Sequence, residues 1–213
     1  MKKLLSILLV ATCAFATAYA EPTQQGTQEV YCGETVQLEA TPKTYFKFVN
    51  WTNQANNILG TEVTLDYTLP NNTEGDVTIT ANFERLKYTV TYALDNSADN
   101  HGVTLATGMD HTVTDQGAGL DYTIDEDHFT LPGDAASKCI SIVKYKVTIA
   151  SSLEADGSTL TNKVIEITDL DQLKFLLTGD AVVTPIVERT KRTIILQTND
   201  LNMGTARFVP QNQ

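Results

Sequence analysis

One stretch of the chain occurs twice, and this repetition limits what the sequence can fold into. Residues 75–94 read GDVTITANFERLKYTVTYAL, and residues 179–198 read GDAVVTPIVERTKRTIILQT. Aligned without a gap, the two copies are identical at 7 of 20 positions, and their offset is 104 residues (179 − 75). A fixed offset is typical of a tandem array of structural units. Each copy predicts a closing strand, a charged hinge and the opening strand of the next unit.

The repeat predicts a mainly β protein built from tandem small β-rich units. Apolar residues alternate with polar ones on both sides of each hinge, and clusters of Pro, Asn, Asp and Gly separate the predicted strands. One short helix is predicted near residues 168–177 (TDLDQLKFLL), where leucines recur at helical spacing. The predicted organisation is a signal peptide at 1–20, a linker at 21–27, repeat unit 1 at 28–86, a more divergent repeat unit 2 at 87–190, and the start of a third, incomplete unit at 191–213.

The first twenty residues predict export rather than a part of the fold. Lys2 and Lys3 precede an apolar run, and residues 18–20 (Ala-Tyr-Ala) form a small-x-small cleavage site. The run is shorter than the ~20 apolar residues of a spanning helix, so we expect no membrane span. Lipid attachment at Cys13 is the weaker alternative, because Thr12 is bulkier than the usual preceding residue. The protein is therefore predicted to be secreted or exposed at the cell surface.

The net charge argues against a nucleic-acid partner, and the cysteine content bears on whether a disulfide forms. Without residues 1–20, the chain has 13 basic residues (15 − 2) and 26 acidic ones, a net charge of −13. Such a charge repels nucleic acid, so no nucleic-acid partner is expected. Cys32 and Cys139 remain after cleavage, and export would permit a disulfide. Because they lie in different predicted units, two half-buried free thiols are the preferred interpretation.

The densest aromatic cluster lies at residues 45–51 (YFKFVNW) and has two interpretations. An exposed Trp51, helped by Tyr45 and Tyr67, would stack on sugar rings and make the chain a carbohydrate-binding module. Alternatively the cluster supplies the core of a small unit, since a buried aromatic side chain removes ~150–250 Å² from water. We favour the core interpretation. The predicted structural core is Phe46, Phe48, Val77, Ile79, Phe83 and Val90.

No pattern in the sequence predicts catalysis, a metal or a cofactor. His101, His111 and His128 follow carboxylates, but none has the His-x-His or His-x₃-His spacing of a metal site. Residues 95–100 alternate oxygen-bearing side chains as calcium loops do, yet Asn100 stands where such a loop needs glycine. No nucleophile elbow or phosphate loop is present in the sequence. An enzyme is therefore the third hypothesis, and a non-catalytic protein the first.

Three segments of the first unit resemble the internalin-type B repeats and their divergent relatives in Bacteroides and Listeria surface proteins. They are residues 36–42 (VQLEATP), 46–51 (FKFVNW) and 77–83 (VTITANF). The second unit resembles the family less, because Lys144 and Tyr145 stand where the aromatic pair and the tryptophan are expected. The resemblance implies small, mostly β units related to the β-grasp. It also implies an extracellular role as spacer, adhesion module or protein-interaction module.

The expected partner is therefore a protein or a glycan at the cell surface. The first unit starts near Gly26 and lacks an opening strand of its own, whereas residues 193–198 and 205–209 form a hairpin with nothing to pack on. One hypothesis is that this hairpin completes the first unit of a neighbouring molecule, which would give head-to-tail self-association. The other is that the printed chain is a fragment of a longer protein.

Overall fold

The computed structural model describes residues 4–13, 23–96, 99–196 and 207, with only the backbone described at 4–13 and 23–25. Its first half consists of seven strands: β1 (Leu4–Cys13), β2 (Thr23–Tyr31), β3 (Thr35–Glu39), β4 (Phe46–Asn53), β5 (Ile58–Gly60), β6 (Thr64–Thr68) and β7 (Val77–Arg85). Its second half consists of nine strands and one short helix: β8 (Lys87–Tyr92), β9 (Thr104–Leu105), β10 (Thr112–Gly117), β11 (Asp121–Thr123), β12 (Phe129–Thr130), α1 (Ala135–Lys138), β13 (Ile140–Leu153), β14 (Thr159–Ile167), β15 (Lys174–Leu176) and β16 (Ala181–Arg189). The fold is mainly β, as the alternation predicts.

Each half contains one five-stranded sheet, and the two sheets have the same strand order. The first runs β2-β1-β7-β4-β5 and the second β10-β8-β16-β13-β14. In both, the second strand is parallel to the third and antiparallel to the first. Adding the offset of 104 to the residue numbers of β7 gives those of β16. Trp51 lies opposite Ala81 in the first sheet, and Tyr145 lies opposite the equivalent residue, Pro185, in the second. The sequence repeat is therefore a repeat of whole sheets.

Each sheet packs its inner face on a separate hydrophobic core. The first core is centred on Trp51, Leu69 and Ile79, and the second on Tyr92, Tyr145 and Ile149, all at most 1% exposed. A two-stranded sheet of β3 and β6 adds to the first core, with Val36 and Leu38 buried. The smaller pairs β11-β15 and β9-β12 add to the second.

The N-terminal segment differs from the prediction. Leu4–Cys13, predicted as signal peptide outside the fold, is the strand β1 between β2 and β7. Residues 21–27 were predicted as a linker, but β2 begins at Thr23. The physical reason is that a mostly apolar run suits an interior strand of a sheet as well as an export signal. Whether residues 1–20 are cleaved stays a prediction.

The predicted helix near 168–177 is wrong. This segment is a turn followed by β15, in which Phe175 points into the second core and pairs with Tyr122 of β11. Leucines at positions 173 and 177 are buried because strand alternation around Phe175 also places them inward. The α-helix lies instead at Ala135–Lys138, and residues 126–128 form a 3₁₀ turn.

Candidate interaction site

The strand position between β2 and β7 in the first sheet is the first part of the candidate site. β1 fills it, with Ile7 opposite Val77 on β7 and opposite Gln28 on β2. The strand is therefore paired along both of its edges, and its backbone satisfies the facing N–H and C=O groups of two neighbours. Without β1, the edges of β2 and β7 that face it would each have unpaired backbone N–H and C=O groups.

Residues 191–196, which we call the C-terminal segment, are the second part. Within the described chain they belong to no sheet, although they are the repeat equivalents of β8. Their apolar side chains are exposed, with Ile194 at 73%, Ile195 at 76% and Leu196 at 43%. Three consecutive exposed aliphatic residues form an unusual surface for a soluble fold and indicate a strand without its sheet. The segment also borders an open depression of about 750 Å³ lined by His101 and residues 187–192.

The junction between the two sheets is fixed by backbone hydrogen bonds on both sides of Leu86. Its N–H donates to the carbonyl of Tyr45 (2.8 Å), and its carbonyl accepts from the N–H of Ala118 (2.9 Å). The Arg85 guanidinium donates to the Ala118 carbonyl and lies 4.7 Å from the Phe46 ring centroid. The charged hinge predicted from sequence is therefore a bonded joint rather than a free linker.

The same joint recurs where β16 leaves the second sheet. The N–H of Thr190, which is the repeat equivalent of Leu86, donates to the carbonyl of Cys139 (2.8 Å). Cys139 and Tyr45 are thus equivalent, and both have left-handed backbone angles, φ 54° and 70°. Both residues carry a side chain, so sequence reasoning, which expects glycine at such positions, missed the correspondence. The C-terminal segment leaves the second unit as β8 leaves the first.

The aromatic residues named as ligand candidates lie in the core and the junction. Trp51 is 0% exposed, and its Nε1–H donates to the carbonyl of Glu62 at 3.0 Å. Tyr45 packs so closely on the junction that a Cβ at Gly119 would lie 2.3 Å from its ring. Tyr67 is half-buried against the first core. Trp51 therefore presents no open ring face of the kind a sugar-binding tryptophan has, and Tyr45 and Tyr67 are only partly exposed.

The predicted core residues lie on or beside the inner faces of the sheets. Val77, Ile79 and Val90 are buried. Phe48 and Phe83 are half-buried and in edge contact, with ring centroids 5.7 Å apart. Phe46 is half-buried beneath Arg85 at the junction rather than in the centre of the unit.

Two of the three histidines form a cluster that the sequence spacing does not predict. The Nδ1 atoms of His111 and His128 are 3.1 Å apart, and His128 is 3% exposed and stacked on Tyr92 with centroids 3.7 Å apart. Burial, helped by the hydroxyl of Tyr122, raises the pKa of Tyr92. The ring of His128 thus fills core volume beside Tyr92. Among the described residues, no group of three or more His, Cys, Asp or Glu side chains is arranged to hold a metal ion.

The remaining candidates have structural partners. Asp95 pairs with Lys146 of β13 at 3.0 Å, and Asp99 accepts from the N–H of His101 at 2.8 Å, so both carboxylates have partners within the fold. Cys32 and Cys139 are free thiols of intermediate exposure.

A polar network at the end of β13 makes stability depend on pH. Glu154 accepts from Lys163 Nζ (2.8 Å) and from Ser152 Oγ (2.6 Å), and these bonds lower the pKa of its carboxyl. A lowered folded-state pKa stabilises the protein above the unfolded-state pKa, and this stability is lost as the pH falls through the folded-state pKa. We expect Glu154→Gln to lower the urea midpoint at pH 7, and to lower it by less at pH 3.

The same substitution at Glu166 is the matched control. Glu166 pairs with Lys144 at 2.8 Å, but its side chain is 53% exposed, and exposed pairs contribute ~0–1 kcal/mol. Urea denaturation of both variants at the two pH values tests the expectation. An equal loss for Glu154→Gln at pH 3 and pH 7 would contradict it.

Comparison with known proteins finds one family to which part of the chain is similar. The family model described as Divergent InlB B-repeat domain matches residues 11–87, from within β1 to the first residue of β8. The resemblance to internalin-type B repeats is therefore confirmed for this part of the chain, and the family is typical of surface proteins. No curated protein matches the chain. Among the described residues, no helix is long and apolar enough to cross a membrane.

Proposed function

We propose that this chain, whose residues 11–87 match a divergent InlB B-repeat domain, is an exported, non-catalytic module that acts at the cell surface as a spacer and protein-interaction element. The observation that carries the proposal is the repetition of one five-stranded sheet, in the same strand order, within a chain that matches this family. Arrays of small β units are suited to spanning distance and presenting strand edges, since each unit needs contact only with its neighbour.

The junction supports the spacer role. A hydrogen bond between Thr44 Oγ1 and the carbonyl of Ala155 (3.2 Å) joins the two halves in addition to the bonds around Leu86. Exposed ion pairs of Lys47 with Glu84 (2.6 Å) and of Lys87 with Asp115 (3.3 Å) link neighbouring strands beside the joint and add ~0–1 kcal/mol each. A joint bonded on both sides resists bending more than a flexible linker does.

The interaction role is supported by the edges of the second sheet. β14 is an outer strand, and its side chains of Leu160 and Val164 are 49% and 56% exposed. An exposed strand with apolar side chains is the surface that accepts an added strand from another protein. Carbohydrate binding through Trp51 has no comparable support, because the indole ring is buried.

The test is the location and N-terminus of the protein in its own cells. We expect brief protease treatment of intact cells to release peptides of this chain, and the surface form to begin at Glu21. A form that begins at an acylated Cys13 also supports surface exposure, through the lipoprotein route. Recovery of the protein only inside the cell, with residues 1–20 still attached, would overturn the proposal.

A matched variant pair shows whether the cleavage site directs this processing. Replacing Ala18 and Ala20 by Gln removes the small side chains that signal cleavage requires, so the surface form starting at Glu21 should disappear. Replacing Tyr19 by Gln leaves both small residues in place and should not alter the N-terminus. Peptide sequencing of the purified protein reads out both variants.

A further inference from the structure

We propose that, once residues 1–20 are removed, the C-terminal segment of one copy inserts between β2 and β7 of a second copy and completes its first sheet. The inference rests on the proposed export, because removal of the leader vacates the strand position that β1 fills. Cleavage after Ala20 removes all of β1, and lipoprotein processing would leave only Cys13 of it. The facing backbone groups of β2 and β7 then need an extended segment, which strand addition supplies.

The repeat specifies the register of the inserted strand. In the second sheet, Val90 of β8 lies opposite Ala181. The equivalent of Ala181 at the offset of 104 is Val77, which lies opposite Ile7 in the first sheet. The equivalent of Val90 at the same offset is Ile194. Ile194 therefore takes the place of Ile7 opposite Val77, and Leu196 lies two residues further, opposite Ile79.

Burial supports this register. Val90 and Tyr92, which occupy the two inward positions of β8, are 0% and 1% exposed, and Thr91 between them is half-buried. At the offset of 104, Ile194 is the equivalent of Val90 and Leu196 that of Tyr92. Ile195 is the equivalent of Thr91. Insertion thus moves two exposed aliphatic side chains into an apolar core, which is the direction that the hydrophobic effect favours.

The geometry of the donor also fits. The segment follows Thr190, whose N–H bond to Cys139 repeats the bond of Leu86 to Tyr45 at the internal junction. A second copy docked on the segment would therefore sit as the second sheet sits on the first. Because donor and acceptor are different surfaces of one chain, the contact is head-to-tail and extends into a linear polymer.

The two cysteines provide an independent geometric check. At the internal junction, Leu86 lies between Tyr45 and Ala118. The equivalent of Tyr45 is Cys139, and continuing the pairing of Leu4 with Tyr31 by one residue makes Cys32 the equivalent of Ala118. In the polymer, Thr190 would lie between Cys139 of its own copy and Cys32 of the next. Two strand spacings separate them by about 10 Å, too far for a disulfide but within reach of a short bis-maleimide.

The first experiment compares the full chain, 1–213, with the mature chain, 21–213, by analytical ultracentrifugation and by the fluorescence of the single tryptophan. The full chain should stay monomeric with blue-shifted Trp51 emission, because β1 fills its sheet. The mature chain should form oligomers as its concentration rises, and its Trp51 emission should shift to the blue in parallel. A mature chain that is monomeric at all concentrations, or assemblies with red-shifted emission, would overturn the inference.

Matched substitutions then test the register. Ile194→Thr places a hydroxyl in the first core and should weaken assembly of the mature chain by about tenfold or more. Ile195→Thr introduces the residue that β8 has at the equivalent position, Thr91, and should change the association constant by less than about threefold. Equal effects of the two variants would overturn the proposed register and the inference with it.

A peptide of residues 188–198 provides a test that does not depend on the folding of a variant. In excess, it should dissolve the oligomers of the mature chain while Trp51 emission stays blue-shifted, since the peptide fills the same strand position. The peptide with Ile194→Asp should do neither. Oligomers that persist in the presence of the first peptide would overturn the inference.

Cross-linking distinguishes exchange between copies from folding back within one copy. A bis-maleimide of about 10 Å span should join mature chains into a ladder, and Cys32→Ser or Cys139→Ser should each abolish it. A cross-link confined to single chains would overturn the inference. These measurements use purified protein, so their failure leaves the proposed surface role intact, and an intracellular location would leave the assembly result intact.

Discussion

Replacing Trp51 by alanine is expected to lower the free energy of unfolding of the first unit by ~3–5 kcal/mol, the usual cost of truncating a buried aromatic side chain. Trp51 is fully buried, and its ring centroid is 5.4 Å from that of Phe48. The substitution also leaves the carbonyl of Glu62 without the indole N–H that it accepts. The side chains around Trp51, among them Leu69 and Ile79, are held in paired strands and turns and cannot move far enough to fill the cavity.

Tyr145→Ala is the matched control, because Tyr145 occupies the equivalent position of the second sheet and is also fully buried. Hydrogen exchange of the full chain, read by mass spectrometry, separates the two effects. Trp51→Ala should remove protection from β4 and β7, whereas Tyr145→Ala should remove it from β13 and β16. A Trp51→Ala protein that keeps the protection of β4 and β7 and loses binding on a glycan array would contradict the core placement and favour carbohydrate recognition.

The equivalence of Trp51 and Tyr145 shows what the sequence was able to predict. Strand alternation and the repeat were sufficient for the mainly β class, because both depend on local periodicity that the fold preserves. The first aligned hinge also located the strand that follows it, β8, whereas residues 191–196 after the second hinge belong to no sheet. The sequence also places Lys144 and Tyr145 where the aromatic pair and the tryptophan are expected. The register that sets Tyr145 opposite Pro185, as Trp51 is set opposite Ala81, depends on pairing between distant strands, which local periodicity does not contain.

The errors have the same origin. Residues 4–13 have the apolar composition of both an export signal and a central parallel strand, and local sequence does not separate the two. At residues 168–177, leucine spacing indicated a helix, but the pairing of β15 with β11 decided in favour of a strand. The cluster of His111 and His128 joins residues from separate loops, so no spacing rule predicts it. In each case a tertiary contact outweighed a local pattern.

Replacing Gly179 by alanine is expected to lower the free energy of unfolding by more than ~3 kcal/mol, well beyond the effect of an ordinary glycine substitution. A Cβ at this position would lie 2.1 Å from the backbone carbonyl oxygen of Ser151 and 2.8 Å from Cγ2 of Ile149. Backbone does not move aside as a side chain does, so the end of β13 must shift. That shift breaks the bond from the N–H of Leu153 to the carbonyl of Thr178 (2.6 Å) and the buried contact of Ser152 with Thr178.

The repeat provides the control, because Gly75 is the aligned residue of the first copy and needs glycine for a different reason. Its φ is +78°, and a Cβ there would meet no atom within 4 Å. Gly75→Ala should therefore lower the free energy of unfolding by only ~1–2 kcal/mol, the cost of placing alanine in the left-handed region. Urea denaturation of both variants, followed by far-ultraviolet circular dichroism, measures the difference. Equal losses, or a larger loss at Gly75, would contradict the close approach at Gly179.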